Sequence, residues 1–207
     1  MPNYFVPFLP SETYHVFNHA NGDDNIFREE DNYRFFLEKY IKYIQPIADT
    51  FAYCLMKNHF HLMVRIRDVE YFRNYQPFKD SKSLKGLNIE DGVAKYISLQ
   101  FSHLFNGYSQ AYNKKYGRRG SLFNPRVKRK QITDDSYFTR LIIYIHTNPI
   151  YHGFVKHVDD WAHSSYLDIR QENDSIVNLN EIINWFGSQE GFFEAHKNTK
   201  EIRFVFD

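Results

Sequence analysis

The chain has 207 residues, of which 43% are hydrophobic and 18% aromatic, and its formal net charge is +1. This length and composition predict a folded protein with one domain of ordinary size, or one domain with appendages. The single cysteine excludes a disulfide framework within the chain, and no apolar run approaches the ~20 residues of a membrane helix. With no signal peptide visible at residues 1–10, we expect a soluble cytoplasmic protein that does not contact membranes.

The first 50 residues predict a strand followed by a helix. Residues 14–18 are rich in aromatic and β-branched side chains, which is typical of a strand, and turn-forming residues follow them. Residues 31–43 carry apolar side chains at helical spacing, and Pro46 is expected to end this helix.

Residues 51–66 predict two strands joined by a turn at Lys57 and Asn58. In the second strand His59 and His61 alternate with bulky apolar residues, so both imidazoles lie on one face, roughly 7 Å apart at their Cα atoms. Imidazole is the commonest metal ligand near neutral pH, and two of them on one face can bind one divalent ion. The alternative is a half-buried strand that carries two histidines without binding a metal.

The order strand, helix, strand, strand suggests an α+β sandwich with helices on one face of the sheet. Residues 68–91 have no clear period and predict a long loop. Residues 92–116 have a helical apolar pattern, and Gly117 is expected to end that helix as its C-cap.

Residues 114–130 form a basic segment without any acidic residue. Tyr116 and Phe123 are interleaved with the cations, and this combination favours a loop or hairpin that binds the phosphates and bases of a nucleic acid. The alternative is a charged surface that is only solvated. The predicted DNA-binding residues are Lys114, Lys115, Arg118, Arg119, Arg126, Lys128, Arg129 and Lys130.

Residues 133–148 predict a second well-marked helix, capped by Thr133 or Asp134 and ended by Pro149. Tyr144 and Asn148 are four residues apart and therefore share one helix face. An asparagine on an inward face suggests that something binds it, whereas Tyr144 alone is equally well explained as a core tyrosine. Beyond residue 151 we predict an irregular segment around Trp161, a short helix at residues 179–186 and a polar, aromatic tail without catalytic groups.

Together these motifs resemble the REP-associated tyrosine transposases, which are single-tyrosine relatives within the HUH endonucleases. The HUH motif, two histidines that flank a bulky hydrophobe, is matched by His59-Phe60-His61. The tyrosine helix is matched by the segment from Tyr144 to Pro149 together with Gly153-Phe154-Val155. The sequences YGRRGSLF at residues 116–123 and DWAHSSY at residues 160–166 are further landmarks, so the resemblance covers residues 14–166.

The resemblance implies an α+β fold, a ferredoxin-like sandwich with a central antiparallel sheet and helices, plus a C-terminal helical extension. It divides the chain into a transposase domain at residues 1–166 and an extension at residues 167–207 that packs on it. It implies metal-dependent nicking and joining of single-stranded DNA next to REP-like hairpins, by a monomer or homodimer. By position Tyr144 matches the nucleophile, and His59, His61 and Asn148 match the metal ligands.

The implied chemistry is physically consistent. A phenol with a pKa of about 10 is a weak nucleophile, and a divalent cation can stabilise the charge that develops on the phosphoryl oxygens. Two imidazoles and one amide oxygen accept Mg²⁺ or Mn²⁺. Two alternatives remain: a non-catalytic protein that binds DNA hairpins with the same fold, and a metal-dependent hydrolase of small phosphoesters, which would need neither the basic segment nor Tyr144.

Overall fold

The structure is a computed structural model that describes residues 4–197. Its centre is a four-stranded antiparallel sheet with the strand order β2-β3-β1-β4, and α1 and α4 connect the strands in the sequence β1-α1-β2-β3-α4-β4. This is a ferredoxin-like arrangement, and the predicted α+β class is confirmed. The strands are β1 (Thr13–His19), β2 (Ala48–Met56), β3 (His59–Ile66) and β4 (Lys128–Ile132). The helices are α1 (Glu30–Tyr43), α2 (Val69–Asn74), α3 (Gln76–Lys79), α4 (Ile89–Tyr116), α5 (Asp135–Tyr151), α6 (Ser165–Arg170), α7 (Leu179–Phe186) and α8 (Gln189–Lys197).

Aromatic side chains fill the layer between the sheet and helices α1 and α4. Phe60 of β3 is fully buried, with its ring centroid 5.5 Å from that of Phe36 on α1 and 5.4 Å from that of Phe105 on α4. Burial of each such ring stabilises the fold by about 1.5–3 kcal/mol. The predicted C-cap is confirmed, since Gly117 has a left-handed φ of 61° and closes α4.

The opposite face of the sheet is covered by α5, so the expectation of helices on one face only was wrong. Phe51 of β2 packs against Phe138 of α5, with 4.9 Å between ring centroids. A strand that is covered on both faces needs apolar side chains in both directions. The nearly continuous apolar run of β2 therefore indicated, in the sequence itself, that both faces of this strand are covered.

The predicted loop at residues 68–91 was also wrong. It contains α2, α3 and a 3₁₀ turn at Lys82–Leu84, and α4 already begins at Ile89. Asp68 caps α2 by accepting a hydrogen bond from the Tyr71 backbone, and Phe78 packs edge-on against Tyr96 of α4 at 5.4 Å. Helices of four to six residues are too short to display a 3.6-residue period, so tertiary packing decides their formation.

Helix α5 begins as predicted but ends later. Asp134 caps it by accepting a hydrogen bond from the Ser136 backbone at 2.7 Å. Pro149 lies inside the helix, which continues to Tyr151, and the His152 backbone donates to the Asn148 carbonyl at 3.1 Å. A proline this close to the end removes only one backbone donor, so the last turn survives.

The C-terminal region packs against α5 and β2. The predicted helix at residues 179–186 is confirmed by α7 (Leu179–Phe186), whereas α8 occupies part of the predicted tail, and residues 198–207 lie outside the described residues. The predicted boundary between residues 166 and 167 falls within α6, so the division into domain and extension stays a prediction. In residues 4–197 none of the helices combines the length and the apolar character that crossing a membrane requires.

A chain of buried hydrogen bonds joins α8 to α5 and to Ser165 at the start of α6. His196 Nδ1 donates to the Phe192 carbonyl at 2.7 Å, which leaves its Nε2 to accept from His146 Nδ1 at 2.9 Å. His146 Nε2 then accepts from the Ser165 hydroxyl at 2.8 Å. Each imidazole holds a single proton in this arrangement. Burial lowers the pKa of His196 to about 4 and that of His146 well below its usual range.

Acidification is expected to weaken this attachment. Between pH 6.5 and 4 the unfolded chain binds a proton at residue 196 that the folded chain excludes, so the free energy of unfolding falls as the pH falls. The slope is about 1 kcal/mol per pH unit for this residue. Urea unfolding at several pH values should show a shallower dependence in His196→Gln, whose amide can still accept from His146. His103→Gln, at an exposed position on α4, is the control, and equal slopes in both variants would contradict the assignment.

Candidate active site

Helix α5 brings Tyr144 and Asn148 against the histidine face of β3. The ring centroids of Tyr144 and His61 are 5.6 Å apart, edge to face, and Asn148 Oδ1 lies 3.4 Å from His59 Nε2. The rings of His59 and His61 are 5.3 Å apart. All four side chains are buried. The structure thus brings together the four residues that the sequence singled out for nucleophile and metal ligands.

Hydrogen bonds orient both imidazoles through Nδ1. His59 Nδ1 lies 2.7 Å from Asn58 Oδ1, which can only accept, so this nitrogen carries the proton. His61 Nδ1 lies 2.8 Å from Nε2 of His15 on β1. Because Nδ1 of each ring is committed to such a partner, Nε2 is the nitrogen that each ring can offer to a metal ion.

Burial keeps these imidazoles neutral. Burial lowers the pKa of His59 and of His15 to about 3 and holds the pKa of His61 well below its usual range. Neighbouring imidazoles lower the pKa of His59 and His61 further, by a smaller amount. The neutral form is the one that binds metals. The site is therefore in the ligating protonation state at neutral pH.

Sequence reasoning missed three further histidines at this site. His15 and His19 lie on β1, and the ring of His19 stacks on that of His59 at 4.5 Å. His152, one turn after Asn148, packs edge-on against His59 at 4.7 Å. The register that pairs His19 with His59 puts β1 side chains on the same face as the HUH motif. The alternation of His15 and His19 was visible in the sequence, but the strand pairing that gives it meaning was not.

The donor set fits a hard divalent ion with mixed ligands. Within residues 4–197, no group of three or more His, Cys, Asp or Glu side chains is placed to hold a metal. The predicted ligands are two histidines, His59 and His61, and one asparagine, so they do not form a group of that kind. The third ligand is the amide oxygen of Asn148, which lies 3.4 Å from Nε2 of His59. Two neutral imidazoles and one amide oxygen suit Mg²⁺ or Mn²⁺. These ligand roles stay a prediction.

The basic segment does not form one hairpin. Lys114 and Lys115 end α4, a loop follows, and the last cations lie in β4, which pairs with β1 at the edge of the sheet. Part of its charge is compensated within the protein. Arg118 pairs with Asp24 at 2.7 Å and Lys115 pairs with Asp31 at 3.4 Å. These carboxylates lie about ninety residues earlier in the chain, so the local sequence gave no sign of the pairs.

The remaining cations differ in their position relative to the histidine face. Lys128 and Lys130 of β4 lie directly opposite Phe17 and His15 of β1 in the sheet. Their side chains are therefore on the sheet face that carries the candidate site. Lys130 donates to the Tyr137 hydroxyl at 2.9 Å. Arg129 points to the other side, with its guanidinium 4.5 Å from the centre of the Phe8 ring. Arg119 and Arg126 are exposed in the loop. The DNA-binding roles of the basic residues stay predictions.

A ferredoxin-like sheet with a histidine pair opposed by a tyrosine-bearing helix is the arrangement that the resemblance implied, and two comparisons confirm that resemblance. The chain is 26% identical over 128 residues to a Haemophilus influenzae protein named "Putative REP-associated tyrosine transposase". The match covers 60% of this chain and 62% of that relative, so it spans less than two thirds of the relative's length.

The fold is similar to a solved structure described as a REP-associated tyrosine transposase bound to a REP hairpin. The TM-score is 0.54 at 16% identity, and the match covers 86% of this chain and 90% of that one. At this identity the likeness supports the fold, including the antiparallel sheet and its helices. No protein-family profile matches the chain.

Proposed function

We propose that this protein nicks and joins single-stranded DNA next to hairpin repeats, through a covalent bond between DNA and Tyr144. The observation that carries the proposal is the placement of Tyr144 one turn before Asn148, with its ring against His61 of the HUH motif. The similarity to a relative named as a tyrosine transposase supports it. A labelled single strand that carries a hairpin tests it, because strand transfer of this kind leaves a protein–DNA adduct that survives denaturation.

The proposed reaction forms one bond to phosphorus for each bond that it breaks, so the phosphate stays a diester throughout. The Tyr144 oxygen attacks the scissile phosphorus and loses its proton, the bond from phosphorus to the 3′ oxygen breaks, and that oxygen leaves as a 3′-hydroxyl. The 5′ phosphate is then joined to Tyr144. Another 3′-hydroxyl can attack the same phosphorus and release the tyrosine, so a strand is joined without an external energy source.

His59, His61 and Asn148 would hold the divalent ion, which when bound supplies electrostatic stabilisation of the phosphoryl oxygens. Asn58 and His15 orient the two imidazoles through their hydrogen bonds to Nδ1. Lys128 and Lys130, on the same face of the sheet, are suitably placed to attract the phosphates of the bound strand.

A non-catalytic hairpin-binding protein is the second candidate, and one observation favours it. Tyr144 is only 6% exposed, so little of this residue is open to a DNA strand unless neighbouring side chains move. The nicking experiment separates the two candidates. A nicking and joining enzyme yields both a cleaved strand and a covalent adduct, whereas a binding protein retards the hairpin on a native gel and yields neither product.

His15 is expected to act as a positioning residue for His61. Its Nε2 can accept the proton that His61 must carry on Nδ1 when it binds a metal through Nε2. His15→Met keeps the bulk but removes the acceptor, and we expect it to weaken Mn²⁺ binding about tenfold or more. His15→Gln supplies an amide oxygen and should retain most of the affinity. Calorimetry of Mn²⁺ binding checks this, and equal affinities in both variants would contradict it.

A further inference from the structure

A cavity of about 350 Å³ lies between α4 and the loop at residues 120–127. Its floor includes the rings of Phe105 and Phe123, which pack edge to face at 5.2 Å. Phe105 also contacts Phe60, whose side chain points away from the histidine face of β3. The cavity therefore lies on the side of the sheet opposite Tyr144 and is separate from the candidate active site.

Amides, hydroxyls and apolar side chains line the cavity. None of its lining residues is charged, although charged residues make up 25% of the chain. Asn106 and Gln110 stand one turn apart on α4, both exposed, and Asn124 faces them from the loop. Within residues 4–197 these three side-chain amides have no hydrogen-bond partner. Asn113, by contrast, is used by the fold, because its amide donates to the Gly120 carbonyl at 2.9 Å and holds the loop.

Unpaired cations flank this uncharged cavity. Arg119 directly precedes Gly120, and Arg126 lines an adjoining cavity of about 330 Å³ that also contains Phe105. Both arginines are exposed and neither forms an ion pair within the described part of the chain, unlike Arg118 with its partner Asp24. Arg126 lies over the Phe5 ring at 5.4 Å from its centre.

We propose that this cavity binds an unpaired nucleobase of the DNA strand that continues from the hairpin. Primary amides present a donor and an acceptor side by side and pair bidentately with base edges, most readily with adenine. Phe105 and Phe123 are only 7% and 6% exposed, so they give the cavity an apolar floor and not a stacking platform, and recognition rests on the amides. Arg119 and Arg126 suit the phosphates on either side of the base. The volume lies in the range of small-ligand pockets.

The edge strand β4 connects this cavity to the candidate active site. Arg129 faces the side of α4, and its neighbours Lys128 and Lys130 face the histidines. A single strand that passes around this edge would meet cations on both sides of it. The inference rests on the proposed function for the presence of DNA, but it assigns recognition of a base to residues outside the catalytic face.

The test compares two fluorescent probes, a blunt DNA hairpin and the same hairpin with a single-stranded tail that contains adenines. Anisotropy titration of the double variant Asn106→Ala/Gln110→Ala should show binding to the tailed hairpin weakened about tenfold or more, with blunt-hairpin binding unchanged. Asn180→Ala/Asn184→Ala is the matched control, because it removes two exposed amides at the same spacing from α7. It should bind both probes as the unaltered protein does.

Equal affinity of the unaltered protein and Asn106→Ala/Gln110→Ala for the tailed hairpin would overturn the inference. If the unaltered protein still forms its adduct with Tyr144, that result leaves the proposed function intact. Gln110→Glu provides a second measurement, because it keeps the shape of the side chain but adds a negative charge beside the strand. It should weaken tail binding, and unchanged binding would count against the site. Failure of the unaltered protein to bind either probe would overturn both proposals.

Discussion

Replacement of Tyr144 by phenylalanine is expected to abolish the covalent protein–DNA adduct. The change removes only the hydroxyl oxygen, which is the atom that would form the bond to phosphorus. Metal and hairpin binding should persist, because the imidazoles and the basic residues are unaltered. End-labelled hairpin DNA, incubated with Mn²⁺ and then boiled in detergent, should give a retarded protein band with the unaltered chain and none with Tyr144→Phe.

The fold should tolerate this substitution. The Tyr144 ring packs edge-on against His61 and His15, at 5.6 and 6.1 Å between centroids, and phenylalanine keeps those contacts. Loss of a hydroxyl hydrogen bond lowers the free energy of unfolding by about 0.5–1.5 kcal/mol. A lost adduct with a nearly unchanged unfolding transition therefore reports on chemistry.

Two neighbouring tyrosines serve as controls for the position of the nucleophile. Tyr137 lies two turns earlier on α5 and accepts a hydrogen bond from Lys130, and Tyr151 lies two turns later with its ring 6.5 Å from that of Tyr144. Tyr137→Phe and Tyr151→Phe should both retain the adduct. An adduct that persists in Tyr144→Phe and disappears in Tyr151→Phe would move the nucleophile to the last turn of α5.

The core of the candidate site could be predicted because its geometry is local. Alternation in β3 puts His59 and His61 on one face, and a spacing of four puts Tyr144 and Asn148 on one face of α5. Each pattern depends only on the regular geometry of one element. Their juxtaposition came from the resemblance, since no local pattern says which face of the sheet α5 covers.

The missed features depend on contacts between residues far apart in the chain. His15 acquires its relation to His61 only when β1 pairs with β3, across 46 positions. The basic segment looked uncompensated because Asp24, which pairs with Arg118, lies before α1, and the whole of α1, β2, β3 and α4 separates the two residues. The short helices after β3 form because Phe72 and Phe78 pack against α4, which no periodicity announces.

Removal of either HUH imidazole should abolish cleavage that depends on a divalent ion. His59→Ala and His61→Ala each leave one nitrogen ligand and Asn148, and a site with so few donors binds Mg²⁺ or Mn²⁺ weakly. Hairpin binding should remain nearly intact, because the phosphates are attracted by cations such as Lys128 and Lys130 that are unchanged. Cleavage of a labelled hairpin strand across a Mn²⁺ titration, alongside anisotropy of the same hairpin, measures both quantities.

Met63→Ala separates loss of a ligand from loss of packing. Met63 lies on the same strand and the same face as His59 and His61, is fully buried, and cannot supply an imidazole. Its truncation costs about 2–5 kcal/mol of stability through the cavity that it leaves, as a buried histidine truncation also would. We expect Met63→Ala to cleave when it is folded and His61→Ala not to cleave. Cleavage by His61→Ala at the rate of Met63→Ala would show that the HUH histidines do not hold the metal.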